Sequence, residues 1–289
     1  MTASGAWRTS TPTPCRAERS IRVPAAAHTR RVTQPIATGP VHRPVRVRLV
    51  RGFCILVVRA LFRLRIEGRG RFATGPAIYC FNHLNWTDPL VLLAALPAAP
   101  KYAMFGPKEE DMTKGARNRL ISWAGFGIAY RPAKTDMLET TRRVTRILED
   151  GWVIVIAGEG RIHRGERELL PLADGTAYFA LRAGVPVIPL AINGTSWLGV
   201  GRRIRIRVGE PIVPEGRPTK EAVESLTRRT AEALRSMTAD FPDPPEPGPF
   251  GRWLTEVFND WPEGARPALG EGDAASLERA QTEATGGPG

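Results

Sequence analysis

The sequence is poor in cysteine, with only Cys15, Cys54 and Cys80 among 289 residues. An odd, widely spaced set excludes a disulfide framework and a cysteine metal site, and it suits a reducing compartment. No apolar run reaches the roughly 20 residues that span a bilayer. We also find no apolar segment followed by a small-residue cleavage site, so we expect no secretory signal.

Acidic residues are nearly missing from the first fifty positions, which hold nine arginines and one glutamate, a net charge of +8. Residues 241–289 reverse this balance, with three arginines and nine acids, a net charge of −6. The total of +12 therefore leaves +10 on residues 51–240. A basic folded region predicts an anionic partner, namely a phospholipid surface, a nucleic acid or a phosphorylated substrate.

Composition divides the chain into three parts. Residues 1–44 are rich in Ala, Thr, Pro and Arg without periodicity, and we predict a disordered basic tail. Residues 241–289 begin as a proline-rich linker and continue as an acidic, mostly disordered tail, in which Trp253 to Trp261 is a candidate for docking back. Residues 45–240 have an ordinary globular composition and form the predicted folded domain.

Strand and helix patterns alternate between residues 64 and 240, which predicts a single α/β domain with a mixed, largely buried sheet flanked by helices. The predicted strands are Leu64–Glu67, Ala77–Phe81, Ile128–Tyr130, Val153–Ala157, Val187–Ile192 and Ile204–Val208. The predicted helices are Pro89–Leu96, Glu109–Trp123, Met137–Asp150, Thr176–Ala183 and Thr219–Thr238.

An amphipathic helix is predicted to precede this domain at residues 45–65. Its apolar run Phe53–Val58 lies between Arg51 and Arg59, a pattern typical of a helix in the headgroup region of a membrane. Packing of the same helix on the domain is an equally good interpretation. The alternating arginines of the last predicted strand likewise belong either to a solvated edge or to a lipid-facing one.

The stretch Phe81–Leu90 holds the first candidate catalytic residues. A predicted strand delivers His83 into a loop, and Asp88-Pro89 marks the start of the following helix. In a loop that folds back on the helix start, the Asp88 carboxylate can hold the His83 imidazole as a general base with its orienter. The alternative is that Asp88 only caps the helix and that His83 bonds nearby backbone. The N–H groups of the helix start are candidates for binding an oxyanion or a phosphate.

Three further stretches are each weak signals when taken singly. Gly125–Arg131 is a glycine turn, a short strand and an arginine; Val155–Arg161 ends a buried strand on a Gly-Glu-Gly turn, and Val185–Pro189 places two prolines around a strand start. Ligands bind at the strand ends of open α/β sheets. We interpret His163, just beyond the second stretch, as a turn residue. Cys80 lies in a buried strand, where a thiol is inert packing rather than a nucleophile.

In this order the four stretches resemble the glycerolipid acyltransferase family, typified by lysophosphatidic acid acyltransferase. The resemblance covers roughly residues 46–240, with His83 through Asp88 matching the family's histidine, four residues, then aspartate. The third stretch departs from the family pattern: Gly158 stands where the family has proline, and Ile162 where it has the arginine associated with the acceptor's phosphate. Arg161 or Arg164 is a candidate to supply that charge.

The resemblance implies transfer of a fatty acyl group from coenzyme A or acyl carrier protein to the hydroxyl of a lysophosphatidate-type acceptor. His83 is then the general base and Asp88 its orienter, with no metal and no cofactor. The implied substrate-binding residues are Asn82, Arg131, Glu159, Gly160, Arg161 and Arg164. The expected partners are the lipid acceptor, the acyl thioester and an anionic membrane surface, with the protein cytoplasmic and peripheral on the inner face of the cell membrane.

Three alternatives remain at this point. The same fold can acylate a different lipid acceptor, such as a lysophospholipid, an aminolipid or a glycolipid. A non-enzymatic membrane-surface scaffold would bind anionic lipid without needing His83. A basic nucleic-acid-binding protein is disfavoured, because no recognition module and no aromatic stacking surface is apparent. The sequence leaves the acyl-chain length and the oligomeric state open.

Overall fold

The computed structural model describes residues 44–105, 137–163, 165–242, 244–245 and 247–259, together with Trp123 and residues 127–128. All of them belong to the larger of two units into which the chain divides, residues 37–289. The predicted basic tail up to residue 43, nearly all of the predicted helix Glu109–Trp123 and the chain after Asn259 lie outside the described residues.

The described elements alternate as the sequence predicted. The helices, numbered in chain order, are α1 (Pro44–Leu61), α2 (Asp88–Ala95), α3 (Met137–Glu149), α4 (Gly175–Ala183), α5 (Lys220–Thr238) and α6 (Pro249–Asn259). The strands are β1 (Phe62–Glu67), β2 (Ala77–Phe81), β3 (Tyr102–Phe105), β4 (Gly127–Ile128), β5 (Val153–Ala157), β6 (Val187–Asn193) and β7 (Arg202–Val208).

The strands form one seven-stranded sheet in the order β1-β7-β6-β2-β5-β3-β4. Every neighbouring pair is parallel except β6 and β7, which are antiparallel. The predicted mixed α/β sheet is thus confirmed. Strand β3 was not predicted, because four residues following a proline-rich turn give too short a pattern to detect; it is placed by pairing with β5.

Both faces of the sheet are buried, so the central strands contain nearly continuous apolar runs. On β2, Ile78 and Cys80 pack into a core shared with α3, α4 and α5. Tyr79 and Phe81 point the other way, into a core shared with α1 and α2. The resulting three layers leave the strand ends at the two edges of the sheet, where loops carry polar residues.

Helix α1 packs on the domain with one side and exposes the other. One side packs on the domain, with Cys54 and Val58 buried against α2 and the sheet. The opposite side carries an apolar stripe of Val45, Leu49, Phe53 and Leu56, each 65–67% exposed. At about 100° per residue, these four side chains fall within a single quarter of the helix surface. None of the described helices is long and apolar enough to cross a membrane.

Candidate active site

The carboxyl ends of β2, β5 and β6 lie side by side, since these strands are neighbours and parallel. Strand β2 is followed by Asn82 and His83, β5 by Gly158 and Glu159, and β6 ends on Asn193. The alternation of strands and loops therefore brings polar residues that are distant in sequence to one edge of the sheet, the usual position of ligand sites in such folds.

The side chain of Asn82 joins the end of β2 to β6. Its Nδ2 donates to the carbonyl of Ile192 at 3.0 Å, and its Oδ1 accepts from the N–H of Ile192 at 2.7 Å. These two bonds continue the ladder between β2 and β6 beyond its last backbone pair, and the side chain is fully buried. The predicted substrate-binding role of Asn82 is therefore replaced by a positioning one, because both polar atoms are already bonded inside the protein.

His83 and Asp88 are in direct contact. Nδ1 of His83 lies 2.9 Å from Oδ2 of Asp88, whose side chain is fully buried while that of His83 is 16% exposed. The same Oδ2 accepts the backbone N–H groups of Leu84 at 2.7 Å and Asn85 at 2.9 Å. Three donors on one oxygen fix the carboxylate and the imidazole together. Nε2 of His83 has no hydrogen bond within the described part of the chain, which leaves it available for a proton.

The helix start does not behave as the sequence suggested. Helix α2 begins at Asp88, and its carboxylate bonds the preceding loop instead of the first helical turn. The N–H of Asp88 donates to Asn85 O, and those of Leu90 and Val91 both donate to Thr87 O. Pro89 has no N–H. The predicted oxyanion or phosphate site at this helix start is therefore wrong, since its N–H groups are already bonded.

Glu159 fixes the backbone of His83. Its Oε2 accepts the N–H of His83 at 2.7 Å, and its Oε1 accepts the N–H of Leu170 at 2.9 Å. The carboxylate is buried and does not face solvent. Its two oxygens connect the turn after β5 with the loop after β2 and with the segment at Leu170. The predicted role of Glu159 as a substrate ligand is replaced by this positioning role.

His163 belongs to the same cluster, which the sequence reasoning missed by treating it as a turn residue. Its N–H donates to the carbonyl of His83 at 3.0 Å, and its Nε2 lies 2.8 Å from Glu159 Oε1. Burial opposes a charge on His163, but the carboxylate of Glu159, with smaller effects from Glu168 and Asp88, outweighs it and raises the pKa of His163 above its ordinary 6.5. A histidine four residues after a turn glutamate was the only sequence signal for this contact.

The raised pKa predicts a pH dependence of stability. A protonated His163 stabilises the fold fully below 6.5, the ordinary value, and this contribution is lost as the pH rises through the higher pKa of the folded state. We expect His163→Gln to be most destabilising near about pH 6 and progressively less so toward about pH 9. Urea denaturation of both proteins across this range measures the difference. A constant difference would show that folding does not shift the pKa of His163, and His42→Gln serves as the control.

The surroundings of Gly158 explain why the third stretch has glycine where the family pattern has proline. Its N–H donates to Phe81 O at 2.9 Å, a bond that proline cannot make. A Cβ at this position would lie 2.6 Å from Cys80 Sγ and 2.9 Å from Leu172 Cδ2. The Cys80 thiol fills this space as inert packing, as predicted, and burial raises its pKa to about 12.

We expect Gly158→Ala to destabilise the fold by about 2 kcal/mol, the usual range for overpacking a core. Gly75→Ala is the matched control, since a Cβ there meets nothing within 4 Å. Combining Gly158→Ala with Cys80→Ala should recover part of the loss, because the closest clash is with the Cys80 sulfur. Strict additivity of the two substitutions in urea denaturation would contradict this account.

A third buried carboxylate, Glu166, was missed by sequence reasoning. It is fully buried and accepts from Asn193 Nδ2, from the N–H of Gly194, and from both the N–H and the hydroxyl of Ser196. Burial raises the pKa of Glu166 despite these bonds. In sequence it lies in a polar run that resembles a solvated loop, and only the fold shows that it anchors the segment following β6.

The remaining predicted binding residues are placed in part. Gly160 lies at φ 69° in the turn after Glu159, a left-handed conformation that favours glycine, and Arg161 beside it is exposed. Arg131 and Arg164 lie outside the described residues.

A cleft of about 440 Å³ lined by residues 70–76 and Pro186 lies at the opposite end of β2 from His83, and is therefore separate from this site.

Comparison with known proteins points to one family. The family model described as Acyltransferase matches residues 63–193. The 1-acyl-sn-glycerol-3-phosphate acyltransferase of Haemophilus influenzae is 31% identical over 148 residues, which are 47% of this chain and 56% of that protein. The chain thus spans little more than half the length of this curated relative.

A solved structure shares the fold. The crystal structure of the 1-acyl-sn-glycerophosphate (LPA) acyltransferase PlsC from Thermotoga maritima matches with a TM-score of 0.51 at 18% identity, covering 68% of this chain and 81% of that one. The resemblance predicted from the four sequence stretches is confirmed by these matches.

Proposed function

We propose, from the match of residues 63–193 to the family model described as Acyltransferase, that this chain moves a fatty acyl group from an acyl thioester to the hydroxyl of a lysophosphatidate-type lipid. The donor is acyl coenzyme A or acyl carrier protein. The relative from Haemophilus influenzae supports the acceptor class, since its name specifies a 1-acyl-sn-glycerol-3-phosphate.

The contact between His83 and Asp88 carries the proposal. A carboxylate on Nδ1 at 2.9 Å keeps the proton on that nitrogen and leaves Nε2 as the base. Because Asp88 is fully buried and its Oδ2 is fixed by two backbone N–H groups, the imidazole is oriented before substrate arrives. This is the arrangement that general base catalysis requires.

The reaction follows from this geometry. Nε2 of His83 takes the proton of the acceptor hydroxyl while the hydroxyl oxygen forms a bond to the thioester carbonyl carbon. The carbon–sulfur bond then breaks, and the thiolate leaves with the proton from the imidazolium. Asp88 stabilises the imidazolium between the two steps. Transfer is direct, since the Cys80 thiol is fully buried and its pKa is raised to about 12.

Acceptor binding is assigned to cations near the same strand ends. Arg161, exposed on the turn after β5, is the described candidate for the acceptor's phosphate, with Gly160 giving the backbone room to approach. Arg131 and Arg164 are proposed for the same task from their positions in the sequence stretches. Asn82 and Glu159 position the site, because their side chains bond the main chain around His83.

The exposed stripe of α1 supports a location at a membrane surface. Its four apolar side chains share one side of the helix and are flanked on the surface by Arg48 and Arg59, both exposed. Such a helix lies in the headgroup region, where each arginine adds about 1 kcal/mol of attraction to anionic lipid. We propose that the protein is cytoplasmic and peripheral on the inner membrane face.

Product identification tests the function. The purified chain is incubated with acyl coenzyme A or acyl carrier protein and a panel of lysophosphatidate, lysophospholipids, aminolipids and glycolipids, and products are identified by mass spectrometry. Acylation of lysophosphatidate alone is the expected result. Acylation of another lipid in its place would retain the enzyme and correct the acceptor. Absence of any acylated product with both donors would refute the proposal.

A further inference from the structure

One buried titratable residue, His163, has no part in the reaction described above. Its side chain is 4% exposed, and its Nε2 lies 2.8 Å from Oε1 of the fully buried Glu159. Oε2 of the same carboxylate accepts the N–H of His83 at 2.7 Å, and the N–H of His163 donates to the His83 carbonyl at 3.0 Å. His163 therefore reaches the peptide groups on both sides of the His83 α-carbon, one directly and the other through Glu159.

These contacts fix the part of His83 that Asp88 does not. The Asp88 carboxylate holds the imidazole through Nδ1 at 2.9 Å, whereas Glu159 and His163 hold the backbone from which the ring projects. The position of Nε2 depends on both, because a side chain moves with its own backbone. A misplacement of about 1 Å at a reacting atom can lower a rate about 10²-fold, so the backbone contacts matter for the reaction as well as for the fold.

The strength of this hold depends on the charge of His163. Glu159 and Asp88 both have fully buried side chains, and a buried carboxylate is costly unless a cation or hydrogen-bond donors compensate it. A protonated imidazole gives Glu159 a charge-assisted contact, roughly twice as strong as one from a neutral donor. When the proton leaves His163, this contact weakens and the buried carboxylate loses a positive charge that opposed it.

The charged groups that face His163 favour its protonated form. They are Glu159 on the turn after β5, Glu168 on the segment that follows, and Asp88 at the start of α2. Burial disfavours the charge, yet the three carboxylates outweigh it and hold the pKa of His163 above 6.5. The Cys80 thiol on β2, which the charge of Glu159 also affects, stays neutral because burial raises its pKa to about 12. The proton on His163 is therefore kept to a pH above 6.5 and is lost as the pH rises further.

We propose that protonated His163 is a positioning residue for acyl transfer, which holds the backbone of the base His83 through Glu159 and makes the rate fall when its proton is lost at alkaline pH. The assignment rests on the proposed function, since it adds a residue to that reaction. His163 acts only through its neighbours, because its ring is buried and its Nε2 lies against Glu159. Loss of the proton loosens the backbone at residue 83, so Nε2 of His83 is less well aligned with the acceptor hydroxyl. The expected loss is therefore in kcat and not in KM.

The pH dependence of kcat in the wild-type chain and in His163→Gln tests the proposal. We expect the variant to be about tenfold slower near about pH 7, with KM for donor and acceptor changed by less than about twofold. The difference should shrink as the pH rises, because the wild-type chain then loses the charge that glutamine never carries. A histidine that only fills space would give a rate ratio that is the same at every pH. Circular dichroism at each pH checks that both proteins are folded when the rates are measured.

Glu168→Gln is a second variant, and it leaves the residues around His83 in place. The Glu168 carboxylate helps to hold the proton on His163, so its removal should move the alkaline fall of kcat to lower pH while the maximal rate stays unchanged. Glu224→Gln is the matched control, because it removes the same charge from α5 at a side chain that is 60% exposed. The pH profile of this control should match that of the wild-type chain.

NMR of the histidine rings in the wild-type chain follows the titration without any change at His163. The chain has four histidines, and the ring signal of His163 is assigned by elimination with His28→Gln, His42→Gln and His83→Ala. We expect this signal to titrate at the midpoint of the alkaline fall of kcat. We also expect the ring signal of His83 to shift in the same step, because both residues contact one carboxylate.

Four results would overturn the role of His163: an unchanged kcat in His163→Gln, a rate ratio independent of pH, an alkaline fall that Glu168→Gln does not move, or a His163 signal that titrates elsewhere. If His163→Gln does not fold, the Glu168→Gln profile and the wild-type NMR titration decide. Absence of acyl transfer by the wild-type chain would refute the proposed function, and the His83 signal would then decide by itself. A shift of that signal in step with His163 supports the positioning contact, and no shift overturns it.

Discussion

His83→Ala is expected to lower kcat by about 10³-fold, within the range that a positioned general base contributes. The variant loses the atom that takes the proton, while the groups around it stay bonded. Asp88 keeps the N–H groups of Leu84 and Asn85, and the backbone of residue 83 keeps its bonds to Glu159 and His163. The melting temperature and KM for the donor should therefore change little. Initial rates at saturating donor and acceptor measure the loss.

The control for this variant is His42→Ala, which removes a histidine from a segment outside the four sequence stretches. Its rate should equal that of the wild-type chain. Normal turnover by His83→Ala would exclude the imidazole as the base and would leave the acyltransferase fold without the mechanism proposed for it. Loss of rate together with a collapsed melting temperature would instead make the His83–Asp88 contact structural.

Substitution of Asp88 is expected to separate rate from stability. In Asp88→Asn, the N–H groups of Leu84 and Asn85 require an acceptor at the position of Oδ2, so the amide oxygen must occupy it. That oxygen still accepts from His83 Nδ1, and the tautomer is kept. What is lost is the negative charge that stabilises the imidazolium. We expect kcat to fall about 10²-fold, less than the roughly 10⁴-fold loss seen when a serine protease histidine takes the wrong tautomer.

Asp88→Ala should lower both the catalytic rate and the stability of the fold. Without an acceptor, the two N–H groups are left unpaired in a buried site, at about 1–3 kcal/mol each. We expect a loss of about 3 kcal/mol in the free energy of unfolding, measured by urea denaturation, beside the loss of rate. Asp150→Asn, at an exposed position, is the matched control. If Asp88→Asn loses stability and keeps its rate, then Asp88 only stabilises the loop conformation and does not take part in catalysis.

The element pattern was largely readable from the sequence, because buried strands and amphipathic helices impose their periods locally. Strands β2 and β5 were predicted with their bounds as observed, and α3 within one residue. The His83–Asp88 spacing predicted a contact for a related reason: a loop of four residues before a helix start allows few arrangements. The strand β3 was missed, because it is placed by pairing with β5 and not by a pattern of its own.

The tertiary structure alone decided which polar groups remain free for chemistry. Asn82 and Glu159 were predicted as substrate ligands, yet their polar atoms bond Ile192, His83 and Leu170 inside the protein. His163 was treated as a turn residue and lies against Glu159. Composition and spacing identify residues near a site, but hydrogen bonds between segments some 75 to 110 positions apart are set only when parallel strands bring their ends together. Which donor meets which acceptor there is a property of the fold.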